Sequence, residues 1–239
     1  MPQGFPSTDT GVELRILQHI FTPEDAEMAL QMTPAPETAE QVAARLSKPV
    51  EEIRAMLDQM AEKGQIASLT IGGHQVYRFI PFVIGIYEFQ RKERLTKELA
   101  ELFEEYGPHL AGATGGHAPH IARVIPVNAA IPTDLQVLQQ DDIRQILNNA
   151  KSFRLQDCIC RKEKKLLGDH CKHTIHNCIH YSMEENAFDY FNPEGEIITR
   201  EEAFQILEQN DQEGLVHTTY NIMNVQGAFF VVVVPAVVR

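Results

Sequence analysis

The 239-residue chain lacks any apolar run of the roughly 18 residues that a membrane-spanning helix needs. Its start, MPQGFPSTDTGVEL, lacks the basic segment and apolar core of a signal peptide, so a cytoplasmic location is expected. It has no HExxH, no nucleophile motif and no convincing phosphate-binding glycine loop. GATGGH has suggestive glycine spacing, but it follows no clear strand and precedes a proline-containing turn. An enzyme is therefore not indicated, and an electron carrier fits better. Positive charge is also scarce: 21 Lys and Arg face 33 Asp and Glu, a formal net charge of −12. That balance repels phosphate backbones and suits docking to basic partners.

Cysteine is scarce too, but it is concentrated. The four cysteines all lie between Cys158 and Cys178. In a reducing compartment such a cluster reads as metal or redox chemistry before it reads as disulfides.

The hydropathy pattern predicts an α/β (α+β) chain in three parts. Residues 1–80 read as a winged-helix domain. Thr10 to Glu13 suggests a capping box opening a first helix, and Thr22-Pro23 opens a second. Thr38 to Gln41 is a further capping box, ahead of Val42, Ala43 and Leu46. Val50, Ile53, Met56, Leu57 and Met60 mark one face of the next helix, which Gly64 stops. Gly72-Gly73 then sits between two strand-like runs, a hairpin signal.

Residues 81–119 read as a junction, a long connecting helix over 86–106 ended by Gly107-Pro108, and a loop over 107–120. Residues 120–239 read as a mixed α/β domain carrying the cysteines. In it ARVIPVN is a strand and Asp141 to Ala150 a helix, and Phe153 to Cys160 is extended. Thr199 to Glu202 caps another helix that Gly214 ends, GLVHTTYNI is a strand, and GAFFVVVVPAVVR is a buried strand.

The cysteines are spaced C-x-C-x10-C-x6-C. Cys158, Cys160, Cys171 and Cys178 can complete the shell of one [4Fe–4S] cluster or of one tetrahedral zinc. In a straight strand Cys158 and Cys160 would share a face. Between Arg154 and Lys172 six Lys or Arg stand against three Asp or Glu, a basic island in an acidic protein. Such cations offset the negative charge of a thiolate-bound metal and favour the thiolate form. His170, His173, His176 and His180 lie nearby and read as hydrogen-bonding groups more readily than as ligands, as do His109, His117 and His120 in the preceding loop.

The order of these landmarks resembles a family of 4Fe–4S-binding, ferredoxin-like proteins of anaerobes, found in sulfate reducers, clostridia and methanogens. Its marks here are the N-terminal winged helix, PFVIGIYEFQ, RVIPVN, the segment CICRKEKKLLGDHC with a later cysteine, and GLVH. The resemblance runs from about residue 12 to residue 230. It implies an iron–sulfur electron-transfer protein, or an electron-entry module of a redox complex, with a redox protein as partner. Family members follow the GLVH strand with a cysteine-rich stretch and a pair of ferredoxin-type motifs. Here Phe230 to Arg239 holds no cysteine, so those clusters are not carried over.

Two other readings remain open. One is a metal- or redox-sensing regulator using the winged helix. Residues 1–80 hold six Lys or Arg against eleven Asp or Glu, which opposes DNA binding. The other is a structural zinc protein. A homodimer and no membrane contact are expected.

Overall fold

The computed structural model describes residues 5–115, 122–125, 143–169, 172–189, 195–220 and 228–235. It is an α+β chain that divides into two compact units. One comprises residues 1–117, 159–171 and 189–194, and the other 118–158, 172–188 and 195–239. Among the described residues no helix is long and apolar enough to cross a membrane.

The first unit opens with α1 (Val12–Ile20), α2 (Pro23–Gln31), α3 (Ala39–Leu46) and α4 (Val50–Glu62). The antiparallel hairpin β1 (Ala67–Ile71) and β2 (His74–Arg78) follows. Helix, turn, helix and hairpin thus occur in the order expected. Thr22 and Thr38 each accept from the backbone three residues on, while Asp25 and Gln41 return the bond, so both helices begin with complete capping boxes. Ile53, Leu57 and Met60 line the buried face of α4 and pack with Val42, Met28 and Tyr77.

A buried carboxylate ties this layer together. Asp25 accepts from Lys63 Nζ at 2.9 Å and from Gln65 Nε2 at 2.9 Å. Burial opposes its ionisation, but Gln65, Lys63 and the Thr22 backbone and hydroxyl hold its pKa below the usual aspartate range.

Helix α1 starts differently from expectation. Gly11, not Thr10, occupies its N-cap position and gives no side-chain cap. Glu13 is instead held by the Thr8 hydroxyl at 2.6 Å, so the Thr10 capping box does not form.

The connecting segment also differs. A π-helical turn over Phe82–Ile86 and a 3-10 turn over Lys92–Arg94 precede α5 (Lys97–Gly115). The single helix expected over 86–106 is interrupted because side chains capture its backbone. Gln90 Nε2 donates to the carbonyls of Gly64 and Ile86, and Arg94 donates to that of Phe89. Thr96 Oγ1 then accepts from the Leu99 N–H and starts α5 afresh.

At its other end α5 runs through Gly107-Pro108. Pro108 forfeits the bond to the Glu104 carbonyl, at a cost of about 3 kcal/mol. The usual clash of a proline with the preceding side chain is absent, because Gly107 has no Cβ. The loop expected over 107–120 is therefore helical to residue 115, and the rest of it lies outside the described residues. Phe5, Phe82, Phe103 and Tyr106 form an aromatic cluster in this unit, with Tyr106 and Phe82 edge-on at 5.6 Å.

The second unit holds a six-stranded antiparallel sheet in the order β3-β7-β8-β5-β4-β6. The strands are β3 (Ala122–Ile125), β4 (Ser152–Asp157), β5 (His176–Ser182), β6 (Glu196–Ile198), β7 (Leu215–Tyr220) and β8 (Ala228–Pro235). The valine-rich β8 is internal, paired to β5 on one side and to β7 on the other.

Two helices serve one face of this sheet, α6 (Ile143–Asn149) and α8 (Arg200–Gln212). Phe153 and Leu155 of β4 and Ile179 and Tyr181 of β5 pack with Ile143, Leu147, Ala203 and Leu207. Thr199 and Glu202 form the expected capping box of α8.

Helix α7 (Ile159–Leu166) belongs to the first unit. The extended run expected through Cys160 therefore ends at Asp157. The basic stretch after it is helical, with Lys164 and Lys165 in the last turn, where they complement the helix dipole.

Candidate metal centre

In the second unit Cys158 follows the last residue of β4. Its N–H donates to the Ile175 carbonyl at 2.8 Å, which fixes the chain just before β5. Cys178 lies on β5 directly opposite Gln156. Both cysteines are buried, at 3% and 7% exposure. The register slips between Gln156 and Asp157, which pair with Cys178 and His176, so Asn177 is the extra residue of a bulge. Its side chain donates to Asn210 at 2.7 Å. Alternation then places Cys178 and His180 on the face opposite α6 and α8. Arg154 and Gln156 share that face by register.

In the first unit Cys160 is exposed and sits in the first turn of α7. The strand geometry that would align it with Cys158 is absent. The Tyr87 hydroxyl is hydrogen-bonded to Cys160 and donates to Glu163 Oε2 at 2.5 Å. Burial pushes Glu163 up to about 7, and its hydrogen bond to Glu104 adds to the rise. Lys164 pairs with Glu104. One cation of the basic island is thus accounted for by a carboxylate of its own unit.

Cys171, His170, His117 and His120 lie outside the described residues. His109 falls on α5 rather than on a loop. Among the described residues there is no disulfide, and no three His, Cys, Asp or Glu side chains converge on one point. Two of the neighbouring histidines meet carboxylates. His176 Nδ1 lies 2.6 Å from Asp157, and His173 Nδ1 lies 3.6 Å from Glu213.

The donor chemistry of Cys158 and Cys178 fits a thiophilic metal. Both are soft ligands; Cys178 lies on the β4–β5 ladder, and the backbone of Cys158 is held by its bond to the Ile175 carbonyl.

Reading the sequence did not single out Arg154 and Gln156. Their signal was present, since they alternate with Phe153 and Leu155. Alternation alone, however, cannot tell a solvated polar face from a buried one. Tyr87 and Glu163 gave no such signal, being 76 residues apart.

Comparison with protein-family models, curated proteins and solved structures finds no significant match to this chain.

Proposed function

We propose that Cys158, Cys160, Cys171 and Cys178 hold one [4Fe–4S] cluster, in an electron-transfer protein or an electron-entry module of a redox complex. The observation that carries this reading is the confinement of all four cysteines to 21 residues, two of them, Cys158 and Cys178, buried. The cluster would supply one-electron transfer. The chain would contribute four thiolates, a hydrogen-bonded backbone at Cys158 and Cys178, and cations on and beside α7. Its acidic surface suits a basic redox partner.

The same donor set also suits zinc, in a structural site that transfers no electrons. Residues 1–80 are proposed to be a winged helix, supported by the helix and hairpin order. As a DNA reader this part is disfavoured, because α4 exposes Glu51, Glu52 and Glu62.

The deciding experiment is anaerobic purification followed by metal, sulfide and absorption analysis. Iron and sulfide with broad visible absorbance support the cluster. Stoichiometric zinc in colourless protein establishes the structural alternative. Protein that takes up neither metal refutes both.

A further inference from the structure

Side chains of α2, of α4 and of the turn after α3 line one open groove of about 880 Å³, all within the first unit. From α2 come Glu24, Glu27, Met28 and Gln31, spaced i, i+3, i+4 and i+7, which is a single helix face. From α4 come Met56, Gln59 and Lys63, again on one face. Two helix faces with a channel between them are the setting into which a third helix packs, ridges into grooves.

The floor of this groove is apolar. Met28 is buried, while Leu46 and Met56 are half-buried and pack on the hydrophobic core beneath. Leu30 lines the same groove and is 76% exposed. An exposed leucine standing alone means little, since apolar atoms are common on protein surfaces. Leu30 instead continues an apolar strip that folding leaves in contact with water. Two of its four side chains are methionines, unbranched and able to adapt to the shape of an incoming side chain.

The charges along the groove select the partner. Lys63 is paired with Asp25 at 2.9 Å and Lys48 with Glu52 at 3.5 Å. Glu24 and Glu27 are exposed and have no ion pair or side-chain hydrogen bond among the described residues. They lie three apart on α2, so their carboxylates stand together. The dipole of α2 accounts for an acid at Glu24, in the first turn, but not at Glu27 beyond it. The groove therefore joins an apolar strip to two carboxylates that no cation of its own unit offsets. Such a rim repels nucleic acid and anionic lipid, and it disfavours a second copy of a chain whose net charge is −12.

We propose that this groove docks a cationic amphipathic helix of a partner protein. Apolar residues of that helix at i, i+3, i+4 and i+7 would seat on Met28, Leu30, Leu46 and Met56, and its Lys or Arg would face Glu24 and Glu27. Helix α2 has nine residues, about 13 Å, so about two and a half turns of the partner lie along it. The apolar contacts supply most of the affinity, and the carboxylates supply selectivity and the rate of encounter. Docking here involves no cysteine and does not depend on the metal reading.

The test uses the full chain and a fluorescently labelled peptide of Leu, Ala and Lys, with Leu at i, i+3, i+4 and i+7 and Lys on the flanks. Anisotropy reads binding. Circular dichroism reads whether the bound peptide is helical and whether each variant is folded. One control peptide has Glu for every Lys, and another has the same composition in scrambled order. The parent chain is expected to bind the first peptide saturably, as a helix, and neither control. Leu30→Gln, a change at an exposed position, should weaken binding about tenfold. Glu24→Gln with Glu27→Gln should weaken it about fivefold and flatten its salt dependence. Glu93→Gln with Glu98→Gln removes the same charge from exposed residues of this unit that do not line the groove, and should leave binding unchanged. Equal effects of the two glutamate pairs would show attraction to net charge alone and overturn the inference. No binding by the parent, or parental affinity in folded Leu30→Gln, would overturn it too. Self-association of the parent in sedimentation equilibrium, abolished by Leu30→Gln, would give the groove to a second copy instead.

Discussion

Tyr87 donates a 2.5 Å hydrogen bond to Glu163, linking the π-helical turn after the hairpin to helix α7. Glu163 is buried, and its pKa is raised from 4.5 to about 7: burial raises it most, the Tyr87 bond pulls it back, and the bond to Glu104 raises it further. A raised pKa means that the folded state binds the proton more tightly than the unfolded chain does. The resulting stability is fully present below the unfolded value and is lost as pH rises through the folded one. The parent chain should therefore lose on the order of 3 kcal/mol from this group between about pH 4.5 and 7. Glu163→Gln should remove that component. Urea midpoints of both chains at pH 5 and pH 8 check it, and an equal pH response of the two would refute it.

Gly195→Ala should destabilise the second unit by about 2 kcal/mol or more. The residue sits at φ +130, and its added Cβ meets the Leu155 carbonyl, a backbone atom that cannot move without breaking the β4–β6 ladder. Thermal melts followed at Tyr181 and Phe153 by NMR, both in that unit's core, would register the loss. A melting profile equal to that of the parent would count against the tight packing of Gly195 on Arg154.

Thr38→Ala should cost about 1 kcal/mol, because it removes the hydroxyl that accepts from the Gln41 N–H and breaks a reciprocal box. Thr10→Ala should cost nothing measurable, because Gly11 holds the N-cap position of α1. Chemical denaturation of the two variants separates these cases.

That contrast marks what was legible in the sequence. The boxes at Thr38 and Thr199 were readable because cap and return residue lie three apart and both ends of the bond are local. The hairpin at Gly72-Gly73 was readable for the same reason. The break before α5 was not, because Gln90 reaches the Gly64 carbonyl, 26 residues away. At the site, the cysteine spacing named the candidate ligands. It gave no sign that Cys160 sits on a helix, because nothing in the run from Phe153 to Cys160 marks the end of β4 at Asp157.

The N-terminal unit should not bind duplex DNA with useful affinity. On α4, Glu51 and Glu52 are exposed at the first turn, and Arg54 is paired with Glu40. A helix entering the major groove presents cations and amides instead. Fluorescence anisotropy with random duplexes at physiological salt should show no saturable binding. Sub-micromolar binding that weakens steeply with salt would promote the regulator reading.

Cys171→Ser should release most of the bound metal and leave α7 folded. The first half follows from the four-thiolate proposal, since a three-cysteine set leaves one position of the cluster without its thiolate. The second half follows from the structure. Helix α7 is held within its own unit by Tyr87 on Glu163 and by the Lys164–Glu104 pair, and Arg161 and Glu163 are buried, so its order does not depend on a metal bond. Iron per chain and amide hydrogen exchange over Ile159–Leu166 read the two halves separately. Iron held at the parental level would remove Cys171 from the ligand set. Loss of iron together with fast exchange across α7 would show that metal, rather than these contacts, keeps the helix formed.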